Sequence, residues 1–179
     1  CLQNNLIGPN ADLTGADLSY VHAINLQGCP AVLPTFWQCV QNNLVGPNAN
    51  LTGADLTGAD LRYANLIGVN LNNADLTGAD LSGTYLTGAD LTGADLTGAV
   101  LYYADLSYAD LRGATLSYAI LYNVDLSNAD LSNADLSNAD LYDALLTGAD
   151  LTDVNWNYTT CPDGTNSEDN GDTCENNLI

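Results

Sequence analysis

From residue 51 to residue 151 every fifth position of the chain is leucine, and Trp156 takes the next place in the series. Two residues before each leucine lies a small residue, nearly always alanine, with Val69, Thr84, Val124 and Val154 as variants. The residue just before the leucine is mostly Asp or Asn. Thr or Ser commonly follows it, and Gly, Asn or Tyr closes the unit. A period of five matches neither the helical stripe of about 3.6 residues nor the strand alternation of about 2. It does match a coil of short extended segments joined by bends. Residues i and i−2 share a face of an extended chain, so leucine and the small residue point inward together and the polar residues outward. Gly and Asn supply the turn conformations that β-branched residues resist. About four such segments would close a square coil of about 20 residues, with successive coils stacked about 4.8 Å apart. Each buried leucine contributes roughly 1.5–3 kcal/mol, so a filled leucine column can replace a globular core.

Units such as "ADLTG", "ADLSN" and "ANLIG" resemble the pentapeptide repeat family, A(D/N)LXX, over residues 49–156 and also 11–20. The resemblance implies an all-β fold, a right-handed quadrilateral parallel β-helix with Leu and the small residue inward. It is specific for fold and nearly silent on function, because a fold does not fix an activity.

A second repeat lies over the first. Residues 1–18 align with 39–56, sharing Cys, "QNNL", "GPN" and "LTGA", and Pro9 and Pro47 mark an irregular lead-in to the coil because proline cannot donate to a ladder. "CPAVLPTFWQC" precedes the second copy and "CPDGTNSEDNGDTC" precedes the closing "ENNLI". Both read as a loop closed by paired cysteines. The expected disulfides are Cys29–Cys39 and Cys161–Cys174, each stabilising by roughly 2–3 kcal/mol. Cys1 is expected to be unpaired or to bond between molecules. Phe36 and Trp37 are expected to cover an open end of the hydrophobic column, since uncovered ends expose leucine and unpaired edges. The expected organisation is a short first stack at 1–28, a disulfide-closed cap and lead-in loop at 29–48, the main β-helix at 49–156, and an acidic disulfide loop with the start of a next lead-in at 157–179. The resemblance extends to "LPTFWQCVQNNLVGPNANL", a phrase like those that bacterial pentapeptide proteins of the surface-exposed kind carry before a repeat block.

Composition narrows the function. The chain has 22 acidic residues against two arginines and no lysine, for a formal charge of −20. Unaided nucleic-acid binding is excluded, because phosphate neutralisation needs Lys and Arg clusters. No apolar run reaches the roughly 18 residues of a membrane span, and no signal peptide is visible. Five cysteines without a CxxC pair or a histidine partner argue against zinc. Small disulfide loops point instead to an oxidising compartment, extracellular, cell-surface or periplasmic, in a bacterium.

Several side-chain sets are candidates for chemistry. Residues 20 apart should stack in columns, which gathers Asn50, Asn70, Asp90, Asp110, Asp130 and Asp150 on one wall and Asp55, Asp75, Asp95, Thr115 and Asp135 on another. Such rows read as a solvated surface or as a place for bridging cations. Asp163, Asn166, Glu168, Asp169, Asn170 and Asp172 concentrate oxygen ligands in the tail loop. They resemble a calcium loop without the closing Glu of an EF-hand, and make calcium a candidate cofactor. Val100, Tyr102, Tyr103, Ile120, Tyr122 and Tyr142 form an apolar, aromatic face, with Arg62 in the same column. That face is either self-stabilising or a docking surface for another subunit or a glycan. His22 stands alone and reads as a turn residue where the first stack goes out of phase. No nucleophile has a base beside it, so no enzyme is expected.

Two functions follow. One is a structural or interaction module that stacks head to tail with copies of itself into an array or filament, the closing "CENNLI" being the opening of another lead-in. The other is an acidic, duplex-like DNA mimic that binds a topoisomerase-type enzyme. The paired cysteines favour the first.

Overall fold

The computed structural model describes residues 8–174. Its repeating unit is a bend in which the leucine carbonyl accepts the N–H three residues on, as Leu51 O does from Ala54 at 2.9 Å. The third residue of each bend has positive φ, 65° at Gly53, 64° at Gly58 and 58° at Tyr63, as a type II turn requires. That is why Gly and Asn close so many units: the left-handed region costs other residues roughly 1–2 kcal/mol.

Between bends, single residues pair in parallel with the residue twenty further on. Asn50 meets Asn70, Asp55 meets Asp75, Asp60 meets Asp80 and Asn65 meets Tyr85, and the series runs to Asp140 with Thr160. These bridge positions give the coil its four walls. Each rung is held by backbone bonds such as Leu51 N–H to Asn70 O at 2.7 Å and Asn70 N–H to Ala49 O at 2.9 Å. Two opposite walls matter below. The tyrosine wall comprises 60–63, 80–83, 100–103, 120–123 and 140–143. The carboxylate wall, half a turn away, comprises 50–53, 70–73, 90–93, 110–113, 130–133 and 150–153.

The leucines from Leu51 to Leu141 are fully buried and form one column with the alanines. Thr84, one of the inward variants, is buried at no polar loss because its hydroxyl donates to Leu81 O at 2.7 Å.

The first coil joins this column directly. Asp12 bridges Val32 and His22 bridges Asn50, while Tyr20 N–H reaches Asn48 O and Leu44 N–H reaches Ala23 O. His22 is therefore a bridge residue rather than the turn residue expected. The offset between partners lengthens between those two bridges because the intervening chain projects a hairpin, β1 (Gln38–Val40) against β2 (Asn43–Val45). Its turn residues Gln41 and Asn42 have φ of 48° and 62°, both positive as a type I′ hairpin demands. Cys39 in β1 is bonded to Cys29. Asn43 is buried and ties the junction together, its amide accepting Asn25 N–H and donating to Gln41 O and Asp55 O.

Trp37 packs against both the small cluster around Leu18, Ala23, Leu26 and Leu44 and the main column. Its ring lies on the bare backbone of Gly46, where an added Cβ would come within 2.5 Å. Phe36 does not share this role. It sits at φ 69° with 66% of its surface exposed, because two adjacent side chains at a bend cannot both face the column.

At the other end Cys161 and Cys174 are bonded and fully buried. The loop between them folds back over the last coil through a short 3-10 turn at Ser167–Asn170. The Ser167 hydroxyl donates to Trp156 O, and the buried Thr159 hydroxyl reaches Leu136 O at 2.7 Å. No helix of the described residues is long and apolar enough to cross a membrane.

Candidate functional site

The carboxylate rows are first of all turn supports. In unit after unit the Asp or Asn before leucine accepts the N–H two residues on: Thr57 to Asp55 at 3.1 Å, Ser132 to Asp130 at 3.0 Å, Thr152 to Asp150 at 3.0 Å. A following Ser or Thr often adds its hydroxyl to the same oxygen, as Ser132 does at 2.7 Å. At Asp150 and Asp75 such bonds hold the carboxyl below its ordinary range. At Asp150 the Thr152 hydroxyl is the main cause and its backbone N–H the second. At Asp75 the same pair comes from Thr77. Asp105 is also lowered: burial is its largest single influence and pushes it up, but is outweighed by the bonds from Ser107 and Thr87. The signal was present in the sequence, for Asp followed two places on by a backbone donor is the Asx-turn pattern.

Both arginines lie across these rows. Arg62 pairs with Asp60 at 2.7 Å and reaches Asp80 on the next coil at 3.8 Å, and Arg112 pairs with Asp110 at 2.6 Å and reaches Asp130 at 3.8 Å. The Arg62 hydrogen bonds bring Asp60 down to about 2.

Two of the candidate calcium ligands of the tail loop are engaged by their own turns. Asp163 accepts the Thr165 N–H and hydroxyl, and Asn166 accepts Glu168 N–H as the cap of the 3-10 turn. Glu168, Asp169 and Asp172 are exposed, and among the described residues no three acidic, His or Cys groups converge as metal ligands would. The side chain of Asn170, like Cys1 and the closing residues 175–179, lies outside the described residues.

The expected aromatic face does come together. Tyr102 and Tyr122 meet edge to face at 6.1 Å, Tyr103 meets Tyr122 the same way at 6.2 Å, and Tyr122 stacks on Tyr142 at 5.4 Å. Val100 and Ile120 lie half-buried among them. Beside this cluster runs a groove of about 440 Å³ lined by Tyr63, Ser82, Gly83, Tyr102, Tyr103 and Tyr122. Tyr63 was missed at the level of sequence. Its ring lies over Gly83, where an added Cβ would approach within 2.7 Å. Counting coils would have found it, since Tyr63, Gly83 and Tyr103 recur at one corner.

The model of the Pentapeptide repeats family matches in 8 copies over residues 48–78, 79–117 and 119–155. The chain belongs to the pentapeptide repeat family. Pentapeptide repeat proteins are right-handed quadrilateral β-helices, which gives the four-walled coil its hand, and they are generally non-enzymatic structural or interaction modules. Among solved structures this pentapeptide repeat protein is similar to Rfr23 from the cyanobacterium Cyanothece 51142, at 30% identity over 62% of this chain and 82% of that one, with a TM-score of 0.49. A pentapeptide repeat protein from the Arabidopsis thaliana thylakoid lumen is 34% identical over 59% of this chain and 67% of that one, with a TM-score of 0.40. QnrB1, a plasmid-mediated fluoroquinolone resistance protein, is 26% identical over 80% of this chain and 71% of that one, also at 0.40. No curated protein matches the sequence.

Proposed function

We propose that this pentapeptide repeat protein is a structural module of an oxidising compartment, extracellular or periplasmic, whose twenty-residue coils stack end to end with further copies into an array. The observation that carries this reading is the last coil. Leucine N–H donors of successive rungs reach the next coil as far as Leu141, which meets Thr160 O. Beyond it, Ala149, Leu151 and Val154 belong to the hydrophobic column yet remain partly exposed. The disulfide loop covers the Trp156 to Cys161 side of this coil, and the three residues leave the other side as a rung on which another coil can seat. The junction at residues 38–50 is a worked example of such seating, with Leu44 and Val45 buried under the first coil's bonds.

Sizing and electron microscopy at several concentrations test the reading. Rods that lengthen with concentration are expected, and a monomer throughout overturns it. A thiol count on denatured, unreduced protein tests the compartment. At most one free thiol of the five cysteines is expected. Four or five would return the alternative, an acidic DNA mimic for a topoisomerase-type enzyme, which the rows of carboxylates on a narrow rod favour.

A further inference from the structure

We propose that a corner slot near the start of the rod binds a neutral, glucose-configured unit of a saccharide. Tyr20, Asn48, Gly68 and Gly88 follow one another down a single corner, tied by Tyr20 N–H to Asn48 O at 2.8 Å and Asn48 N–H to Ile67 O at 2.9 Å. Beside them stand Asn50, Asn70 and Asp90 of the carboxylate wall, paired rung to rung. Together they line a slot of about 290 Å³. The corner glycines open it. Gly88 has nothing within 4 Å of where a Cβ would stand, and the Asn48 carboxamide lies over the bare backbone of Gly68. Tyr20, at φ 61° and 79% exposed, heads the column.

The polar groups set this slot apart from the rest of its wall. A bend needs only an acceptor before its leucine, and Asp90 supplies one by taking Thr92 N–H at 3.0 Å. Asn50 and Asn70 do the same with Oδ1, taking Thr52 N–H at 3.1 Å and Asn72 N–H at 3.0 Å. Both Oδ1 atoms also lie within reach of the Thr52 hydroxyl, at 2.8 and 2.9 Å. With Oδ1 committed to the bend, each Nδ2 is turned away from it as an N–H donor. Bend support is served as well by Asp. What the two amides add is a pair of donors without charge, at the rungs where the wall otherwise sets carboxylates.

That combination selects the ligand. Two donors next to one acceptor, Asp90, match hydroxyl groups, which both accept and donate. A glucose-configured ring carries its hydroxyls around its edge and leaves C–H groups on its two faces. The edge meets Asn50, Asn70 and Asp90, and a face lies against the Tyr20 ring, an apolar surface with a polar tip. A few convergent polar groups beside an aromatic surface are the usual make-up of a small-molecule site. An anion is disfavoured by Asp90 and by the chain's charge of −20. A cation finds a single carboxylate beside two N–H donors.

The test is titration calorimetry of the intact, disulfide-bonded protein with cellohexaose and chitohexaose, both built of glucose-configured units. Saturable one-to-one binding of at least one is expected in the submillimolar range, unchanged as salt is raised, because the ligand is uncharged. Tyr20→Gly, at a φ that glycine adopts freely, should weaken binding at least tenfold. Asn70→Asp keeps the bend acceptor, exchanges the donor for a carboxylate, and should weaken binding at least fivefold. Tyr108→Gly, at the same corner one coil past Gly88 and outside the slot, should leave the affinity alone. An unchanged melting temperature verifies that the variants keep the fold. The proposal is overturned by absence of binding of both sugars at millimolar concentration, by unchanged affinity in Tyr20→Gly or Asn70→Asp, or by an equal loss in Tyr108→Gly. Tighter binding of a sulfated oligosaccharide also overturns it. Binding needs no second copy and is read on the monomer, so it fails or stands apart from end-to-end stacking.

Discussion

The tyrosine wall and the carboxylate wall stand on the same leucine column and the same bends, and each carries an arginine across two aspartates, yet they part at the rungs of Val100 and Ile120. On the carboxylate wall Asp110, Asp130 and Asp150 each accept a backbone N–H from their own turn. On the tyrosine wall Val100 and Ile120 have no oxygen to offer, and rings gather where acceptors would stand. The inward positions are fixed by packing. The outward position before leucine is chosen between supporting its own bend and presenting something to a neighbour. Departure from Asp or Asn gives up that bend support for an apolar surface.

The largest test asks whether the two walls really share one interior. Leu101→Ala beneath the tyrosine wall and Leu111→Ala beneath the carboxylate wall leave comparable fully buried gaps. Each should cost about 2–5 kcal/mol, and denaturant midpoints should agree for the two. A clear disagreement would mean that the surfaces feed back on the core. Next come the corner glycines. Gly113→Ala on the carboxylate wall meets open space at φ 64° and should cost only the conformational strain of about 1–2 kcal/mol. Gly83→Ala at φ 65° also drives its methyl into the Tyr63 ring and should cost measurably more. In a Tyr63→Gly background the excess should vanish in a double-mutant cycle.

Acid gives a third comparison. Folded carboxyls lowered from 3.8, to about 2 at Asp60 and in the same direction at Asp75, Asp110 and Asp150, contribute stability that is complete above the unfolded value. That contribution is lost as pH falls through the folded value. The melting temperature should drop progressively as the pH goes from about 4 toward 2. Asp110→Asn with Asp150→Asn should flatten the fall, whereas Val100→Ala and Ile120→Ala should leave its shape alone. The smallest effect concerns single bends. Asp130→Ala removes two bonds to Ser132 and should cost about 0.5–1.5 kcal/mol, against less for Val100→Ala. An equal cost for both would remove the distinction between supporting and presenting positions.

The leucine column and its four walls were legible in the sequence because the period of the core is locked to the period of the backbone. Once residues twenty apart pair, every column follows, including that of Tyr102, Tyr122 and Tyr142. What could not be read depended on which way a side chain turns at a bend. Phe36 and Trp37 are equally apolar neighbours, and only the bare face of Gly46 decides that Trp37 goes in. The acidic tail loop had a ligand-rich composition, but composition does not say that Asp163 and Asn166 are taken up by their own turns. The hairpin at Gln41 and Asn42 was hidden because its left-handed turn carries no glycine.

The junction between Leu26 and Asn42 has a practical consequence. Leu26 N–H reaches Asn42 O at 2.8 Å, so the ladder closes across a chain excursion that the Cys29–Cys39 bond pinches at its base. A rod that absorbs such a detour at a corner without losing register is a display scaffold. Foreign sequence inserted at the exposed Thr35–Phe36 bend, between Val32 on its rung and Trp37 on the column, would stand out from the shaft while the leucines beneath continue to stack.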